Sequence, residues 1–389
     1  MTAGASPEIS FAVHPAPDPV PAARRAELME APGFGRVFTD HMITLRWTQE
    51  RGWHDGRLEP YGPLRLEPAT SVFHYAQEVF EGLKAYRQPS GGDRGVAPPD
   101  QDSGPIVAFR PFANAARFRG SARRLAMPEL PDDTFVRAIE LLVSQDRAWV
   151  PAAADHSLYL RPFMIATDTS LGVSKPSSSY LMLVIACPVG AHFFGGGRPV
   201  SVWLAGDYSR AAPGGTGAAK AGGNYAAGFA AQRQALEHGC DQVVWLDAVE
   251  HRWVEEMGGM NMFFVHGSGS RARITTPPLT GTLLPGITRD ALLTLAPDLG
   301  IPAAEEPISV AQWRDGCRDG EITEVFACGT AAVVTPVGTV RSASGGWTVG
   351  QGDGAGAGPG PVTRRLRQTL TGIQFGQLPD PYGWIHKIC

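Results

Sequence analysis

The chain has 389 residues, a length that predicts two or three domains and a core large enough to enclose a pocket. Its 34 basic and 38 acidic side chains leave a net charge of −4, which argues against nucleic acid as the main partner. The longest apolar run, residues 181–187, is far shorter than the roughly 20 residues of a membrane-spanning helix. Five widely spaced cysteines without a CxxC pair, and no apparent signal segment, favour a cytoplasmic protein with reduced thiols and no metal site.

The first part of the chain predicts a leader followed by an α/β domain. Residues 1–33 carry prolines at six positions, and because proline lacks a backbone donor we expect a flexible leader. Apolar residues at helical spacing favour a helix over residues 71–86, interrupted by Gly82. The other predicted elements are strands at 37–47, 106–109, 157–165 and 180–186 and helices at 110–125 and 132–149.

A glycine-rich run at 195–197 is the best candidate for a domain boundary, so we expect a first domain at 34–192, a linker at 193–198 and a second domain at 199–389. The elements predicted beyond it are strands at 200–204, 242–247, 251–256, 260–265 and 322–328 and helices at 224–238, 287–295 and 309–318. Residues 350–360 are low-complexity Gly and Ala and predict a flexible loop rather than a phosphate-binding one.

Only four lysines occur in the chain, and one of them, Lys220, lies between two glycine pairs at the entry to a predicted helix. A phosphate-binding P-loop would need Gly before this lysine and Ser or Thr after it, but Ala219 and Ala221 occupy those positions. The glycines instead allow a planar ring to approach the backbone, and a partly desolvated amine is a nucleophile for carbonyl carbons. Lys220 is therefore a candidate Schiff-base lysine, with an ordinary loop lysine as the alternative.

Two adjacent carboxylates, Glu255 and Glu256, end a predicted strand before a glycine turn. Neighbouring strand residues face opposite sides, so we expect one carboxylate to enter a pocket and the other to meet solvent. A pair of surface glutamates is the alternative. Two weaker candidates are the predicted helix start at 287–288, where free N–H groups attract a phosphate, and the small-residue turn that follows the strand at 322–328.

Several runs of residues, in chain order, resemble a known family. They are FTDH at 38–41, HYAQEVFEG at 74–82, FRP at 109–111, LYLRP at 158–162, GGNY at 222–225, EMGGMN at 256–261 and LPG at 284–286. From about residue 34 to the C-terminus the chain resembles branched-chain amino-acid aminotransferases, which are pyridoxal phosphate enzymes of fold type IV. The resemblance implies an α/β (α+β) chain with a smaller N-terminal α/β domain, a larger C-terminal pseudo-barrel domain and a cofactor between them. It also implies a homodimer with shared active sites.

The resemblance assigns the cofactor site residue by residue. Lys220 is expected to form the Schiff base with pyridoxal 5′-phosphate and to shuttle the proton of the substrate Cα. Glu256 is expected to pair with the pyridine nitrogen, and Tyr225 to hydrogen-bond the 3′-oxygen of the ring. The residues expected to hold the phosphate are Arg117, the backbone N–H groups of Ile287 and Thr288, and Thr330.

The same resemblance implies the substrate site. Backbone N–H groups of Thr330 and Ala331 would bind the α-carboxylate, and Arg161 with Tyr159 would accept the distal carboxylate of glutamate or 2-oxoglutarate. Tyr75 of the partner subunit would help to bind the α-carboxylate. The apolar pocket for a branched side chain is expected to be lined by Phe34, Phe80 and Tyr159, and by Leu171 and Val173 of the partner subunit. Its substrates would then be small amino acids and 2-oxo acids.

One pocket residue departs from the family pattern, since His192 stands where the family usually has Tyr. This shorter, titratable side chain is expected to shift the preference for the side chain of the substrate, with a neutral replacement as the alternative.

The expected reaction exchanges an amino group between branched-chain L-amino acids (Leu, Ile, Val) and 2-oxoglutarate. The other readings are a fold-IV aminotransferase for a specialised-pathway amino acid, a D-amino-acid transaminase, an aminodeoxychorismate lyase and a non-catalytic cofactor-binding protein.

Overall fold

The computed structural model describes residues 9–89, 104–190, 198–350 and 358–389. The chain divides into two compact units, Met1–Ala191 with Phe375–Cys389, and His192–Gln374. Residues 193–197 of the predicted linker and 351–357 of the predicted glycine-rich loop lie outside the described residues. In the described parts of the chain, no helix is long and apolar enough to cross a membrane.

The first unit is a nine-stranded sheet with helices packed against it. Up to residue 190 its strands are β1 (Phe11–Val13), β2 (His41–Thr48), β3 (Gly52–Pro60), β4 (Glu78–Phe80), β5 (Leu83–Arg87), β6 (Ile106–Phe109), β7 (Ser157–Ala166) and β8 (Ser179–Val189). Its helices are α1 (Ala22–Glu30), α2 (Val72–Tyr75), α3 (Pro111–Arg124) and α4 (Asp132–Gln145). Strands β7 and β8 pair over ten residues each and are buried along almost their whole length, as their apolar sequence predicts.

The predicted flexible leader is wrong for the part of it that the structure describes. Strand β1 pairs in parallel with β3, and α1 follows it. The prolines leave few donors, but those that remain are used: Ala16 N donates to His41 Nε2 at 2.8 Å and Val20 N to Asp40 Oδ1 at 2.8 Å. Because side chains in β2 and just before it accept these bonds, the stretch between β1 and α1 is held in place although it forms no helix or strand.

The predicted helix over 71–86 is also wrong. Only the single turn α2 forms, and it ends where Ala76 adopts a left-handed φ of 47°. The rest of the segment becomes β4 and β5, both of which pair with β7. Gly82 lies between them because a Cβ there would come within 2.1 Å of the Tyr159 hydroxyl. Pairing with a long buried strand has outweighed the helical spacing of the apolar residues.

The second unit contains a closed barrel. Its strands are β9 (Val200–Leu204), β10 (Gln242–Leu246), β11 (Val254–Met257), β12 (Met260–His266), β13 (Arg273–Thr276), β14 (Ala303–Glu305), β15 (Ile322–Gly329), β16 (Val333–Ser342) and β17 (Gly345–Thr348). Its helices are α5 (Gly222–Ala226), α6 (Phe229–Glu237), α7 (Ile287–Asp298), α8 (Val310–Arg318) and α9 (Pro361–Gln374). Strands β11, β10, β9, β16, β15 and β12 follow one another, and β11 also pairs with β12. This closure confirms the predicted pseudo-barrel.

The last residues of the chain return to the first unit. Strand β18 (Ile385–Lys387) pairs antiparallel with β6, which completes the sheet order β1-β3-β2-β8-β7-β5-β6-β18 with β4 beside β7. The prediction that the second domain continues to residue 389 is therefore wrong, because β18 forms its backbone hydrogen bonds with β6 of the first unit. With residues Phe375–Cys389 added, the first unit is not the smaller of the two.

Candidate active site

Lys220 and Tyr225 come together at the start of α5. Lys220 lies in the loop just before this helix, and Tyr225 lies within it, so the helix turn brings the two side chains to the same place. The Lys220 Nζ donates a hydrogen bond of 2.9 Å to the Tyr225 hydroxyl. Gly259, in the turn between β11 and β12, lies against the phenol ring, where a Cβ would be 3.1 Å from Tyr225 Cε1. The ammonium and the phenol thus have defined positions within one unit.

Glu256 is a buried carboxylate at the end of β11, with 2% of its surface exposed. Its Oε1 accepts hydrogen bonds from Leu284 N at 2.7 Å and from Asn261 Nδ2 at 3.2 Å. The Arg210 Nε lies 3.0 Å from Oε2 but does not have hydrogen-bond geometry. Within the described chain, Oε2 accepts no hydrogen bond, so the site contains a buried carboxylate oxygen that lies beside a cation and can still accept a hydrogen bond.

The charge on Glu256 is balanced by its surroundings. Burial raises the pKa of this carboxyl, while the Arg210 guanidinium, the Leu284 N–H and the Lys220 ammonium lower it. Arg210 is itself buried, and its Nη1 donates to Thr282 O at 2.8 Å. A further cationic or N–H donor group at Oε2 would favour the ionised carboxylate in the same way.

Glu255 does not meet solvent as predicted. It is 6% exposed and accepts a hydrogen bond from the Thr282 hydroxyl on the opposite face of β11 from Glu256. Burial raises the pKa of Glu255, and the bond from Thr282 lowers it. The predicted alternation of the strand is present, but the barrel wall is covered on both faces, so both carboxylates are buried.

The predicted phosphate-binding backbone lies at the start of α7. Gly286 caps this helix, and Ile287 and Thr288 form its first turn, both largely buried. A Cβ on Gly286 would come within 2.0 Å of Asn261 Oδ1, so only glycine allows Asn261 to contact both this loop and Glu256.

The turn 330–332 lies at the same end of the barrel. It joins β15 to β16, with Gly329 paired to Val333. Asn261 pairs with Glu256 on one side and with Cys328 on the other, so this strand register places Thr330 and Ala331 just beyond Glu256 and Asn261. Both residues are half-buried. The predicted cofactor residues of the second unit therefore gather at one end of the closed sheet.

The first unit holds the predicted substrate residues as an aromatic cluster around Arg161. Its Nη2 donates to the Tyr159 hydroxyl at 3.0 Å, and its guanidinium lies 4.8 Å from the Phe80 ring centroid and 5.4 Å from that of Tyr159. Phe34 packs edge-on against Tyr159 at 4.9 Å. The four residues predicted from the sequence (Phe34, Phe80, Tyr159 and Arg161) are thus adjacent, and the aromatic rings present apolar faces beside the Arg161 guanidinium.

The remaining predicted substrate residues do not join this cluster. Tyr75 donates to Leu171 O at 2.5 Å, and Tyr75, Leu171 and Val173 have 42%, 60% and 72% of their surface exposed. Such exposure of apolar side chains is typical of a surface that a partner covers. The prediction for His192 lies outside the described residues.

Arg117 belongs to the first unit and is held by a residue that sequence reasoning missed. Glu81 is fully buried and accepts Arg117 Nε at 2.7 Å and Nη2 at 2.8 Å. Glu81 and Asn261 both stand inside the sequence runs that carry the family resemblance, which is a usable signal. Arg210 stands outside those runs, and only the structure identifies it.

Comparison with known proteins agrees with this geometry. The amino-transferase class IV family matches residues 105–340. The proteins called branched-chain-amino-acid aminotransferase in Mycolicibacterium smegmatis and in Mycobacterium tuberculosis (strain H37Rv) are each 53% identical to the chain, over 98% and 100% of both sequences. A crystal structure of the Escherichia coli branched-chain amino acid aminotransferase is 28% identical, with a TM-score of 0.68 over 89% of this chain and 99% of that one.

The family match and the close relatives show that the chain is an aminotransferase. The chain belongs to the amino-transferase class IV family.

Replacing Arg210 should destabilise the second unit in a pH-dependent way. The change Arg210→Met leaves Glu256 buried without its cation, which costs about 3 kcal/mol at a buried pair, or a fall of roughly 6–12 °C in the thermal midpoint. The pKa of Glu256 is already raised by burial and will rise further. Because the folded state then holds the proton more tightly than the unfolded state, stability falls as pH rises through the folded pKa.

Thermal midpoints of the cofactor-free protein at about pH 5 and about pH 8 measure this effect, since the lower pH is close to the usual pKa of a glutamate. The loss should be larger at the higher pH. Arg341→Met is the matched control, because Arg341 is exposed and only its Nη1 bond to His238 O at 2.9 Å is lost. A loss for Arg210→Met that is equal at both pH values would contradict the pairing with Glu256.

Proposed function

We propose that this chain is a pyridoxal 5′-phosphate transaminase that exchanges the amino group between branched-chain L-amino acids and 2-oxoglutarate. The observation that carries the proposal is the unsatisfied, buried Oε2 of Glu256, which belongs to the same unit as the hydrogen-bonded pair of Lys220 and Tyr225. A pyridine nitrogen that carries a proton is a donor of the kind that this oxygen lacks. The names of the close relatives support the same activity.

The residues present fit the cofactor chemically. When bound, pyridoxal 5′-phosphate supplies an aldehyde for an amine and a ring that takes up the electron pair left on the substrate Cα. Lys220 would hold the aldehyde, Tyr225 the 3′-oxygen and Glu256 the ring nitrogen. The groups that would bind the phosphate are the N–H groups of Ile287 and Thr288 at the start of α7, the Thr330 hydroxyl and the Arg117 guanidinium.

In this proposal Lys220 is the proton carrier. Once a substrate amine has displaced it, its Nζ would be a free base that takes the proton from the substrate Cα and delivers it to the cofactor carbon that had carried the amine. Tyr225 restrains the amine, since their hydrogen bond of 2.9 Å fixes where Nζ lies before the exchange. Glu256, paired with Arg210, would hold a proton at the ring nitrogen, at a site from which water is largely excluded, and a protonated ring accepts the electron pair of the substrate Cα more readily.

Substrate specificity would come from the cluster around Arg161 and from a second subunit. Phe34, Phe80 and Tyr159 offer apolar surface to a branched side chain, worth roughly 25 cal/mol for each Å² buried. Arg161, held by the Tyr159 hydroxyl, would bind the distal carboxylate of 2-oxoglutarate. Backbone N–H groups of Thr330 and Ala331 would bind the α-carboxylate. The exposed Tyr75, Leu171 and Val173 would complete the pocket of the partner in a homodimer.

A panel of amino donors with 2-oxoglutarate as acceptor tests the proposed substrates. We expect kcat/KM for L-leucine, L-isoleucine and L-valine to exceed that for L-alanine by more than about tenfold, because each buried methylene contributes about 0.8 kcal/mol. D-leucine serves as the stereochemical control and should be inactive. A preference for D-amino acids, or for a different class of side chain, would contradict the proposal.

Glu256→Gln tests the role of the carboxylate. The substitution keeps length and shape but removes the charge, and we expect kcat to fall by about 10²-fold or more, as when other electrostatic groups are removed from active sites. Cofactor content, read from absorbance, shows whether the loss is in chemistry or in binding. The matched control is Glu255→Gln, on the opposite face of the same strand, which should retain most of the activity. Equal losses in the two variants would count against the assignment.

A further inference from the structure

Glu81 is a completely buried carboxylate between β4 and β5 of the first unit. Hydrogen bonds from described residues reach both of its oxygens. Its Oε1 accepts from Arg117 Nε at 2.7 Å, and its Oε2 accepts from Arg117 Nη2 at 2.8 Å, from Asn114 Nδ2 at 2.7 Å and from Gly82 N at 3.0 Å. A buried charge is tolerated only with such compensation, so this carboxylate has a fixed position.

The fixed carboxylate in turn fixes the arginine. The two parallel hydrogen bonds occupy the side edge of the guanidinium, formed by Nε and Nη2, and bidentate pairing of this kind sets both position and orientation. Asn114 and Arg117 lie three residues apart on α3, so they occupy one face of the helix and bind the same carboxylate. The Arg117 side chain is only 10% exposed. Its long side chain therefore has little rotational freedom left to lose when it binds a ligand.

We propose, on the basis of the function proposed above, that Glu81 is a positioning residue for phosphate recognition. With Nε and Nη2 of Arg117 paired to Glu81, the plane of the guanidinium is fixed, and with it the direction from which a phosphate would be bound. Glu81 also neutralises the cation, so Arg117 contributes oriented donors to the phosphate rather than net charge. Glu81 sets the orientation of Arg117. It therefore determines how much more tightly the protein binds pyridoxal 5′-phosphate than pyridoxal.

The test compares two ligands that differ only in the phosphate. Glu81→Asp keeps the negative charge but shortens the side chain by one methylene, so it cannot reach Arg117 while it also contacts Asn114 and the Gly82 N–H. Dissociation constants of pyridoxal 5′-phosphate and of pyridoxal are measured by titration of the cofactor-free protein. We expect the constant for pyridoxal 5′-phosphate to rise about tenfold and that for pyridoxal to change less than about twofold, since the loss is confined to a charge-assisted bond to the phosphate.

Asp146→Asn is the control for a general loss of stability. Asp146 is another buried carboxylate of the first unit, paired with His41 at 2.5 Å between Oδ1 and Nδ1. This variant should lower the thermal midpoint without changing the ratio of the two dissociation constants. Equal weakening of both ligands in Glu81→Asp would overturn the inference and leave the proposed function intact. A parent protein that binds pyridoxal 5′-phosphate no better than pyridoxal would overturn both.

Should Glu81→Asp fail to fold, Asn114→Ala gives a second test. It removes the Asn114 bond to Glu81 and keeps the pairing with Arg117. We expect a smaller change in the same direction, about threefold for pyridoxal 5′-phosphate, as for the loss of a single hydrogen bond. A change that is the same for both ligands would contradict the positioning role.

Discussion

A carboxylate buried at the end of a closed barrel is the constraint on which the second unit depends. Glu256 has lost nearly all of its water, and this burial raises its pKa. The guanidinium of Arg210, the amide of Asn261 and the N–H of Leu284 come from three different segments, and together they compensate for the water that the carboxylate has lost. Closure of the sheet, with β11 paired to β12, is what brings these segments to one point.

The first unit also contains a buried carboxylate that needs compensating partners, but its hydrogen bonds are arranged differently. There both oxygens of the buried Glu81 carboxylate accept hydrogen bonds and hold a cation, whereas Glu256 keeps one oxygen without a hydrogen bond among the residues described. A carboxylate whose two oxygens are both used contributes orientation, and one with an oxygen left over can accept a hydrogen bond from a ligand.

Short sequence motifs point to residues of the candidate site, whereas the spacing of apolar residues predicts the helices and strands less well. Lys220, Tyr225 and Glu256 are identifiable because Tyr225 and Glu256 stand in runs that resemble the family and Lys220 stands just before one of those runs. The helix expected over 71–86 does not form, since apolar spacing cannot reveal that β7 offers a pairing edge. The return of β18 to β6 and the burial of Glu255 are likewise set by distant parts of the chain, which local sequence does not encode.

Reduction of the cofactor-loaded protein with borohydride, followed by peptide mapping, tests the central claim most directly. Borohydride makes the bond between an aldehyde and a lysine permanent, and the chain has only four lysines, Lys84, Lys175, Lys220 and Lys387. The account predicts a pyridoxyl label on Lys220 and on none of the other three. A label on any other lysine, or no label at all, would contradict it.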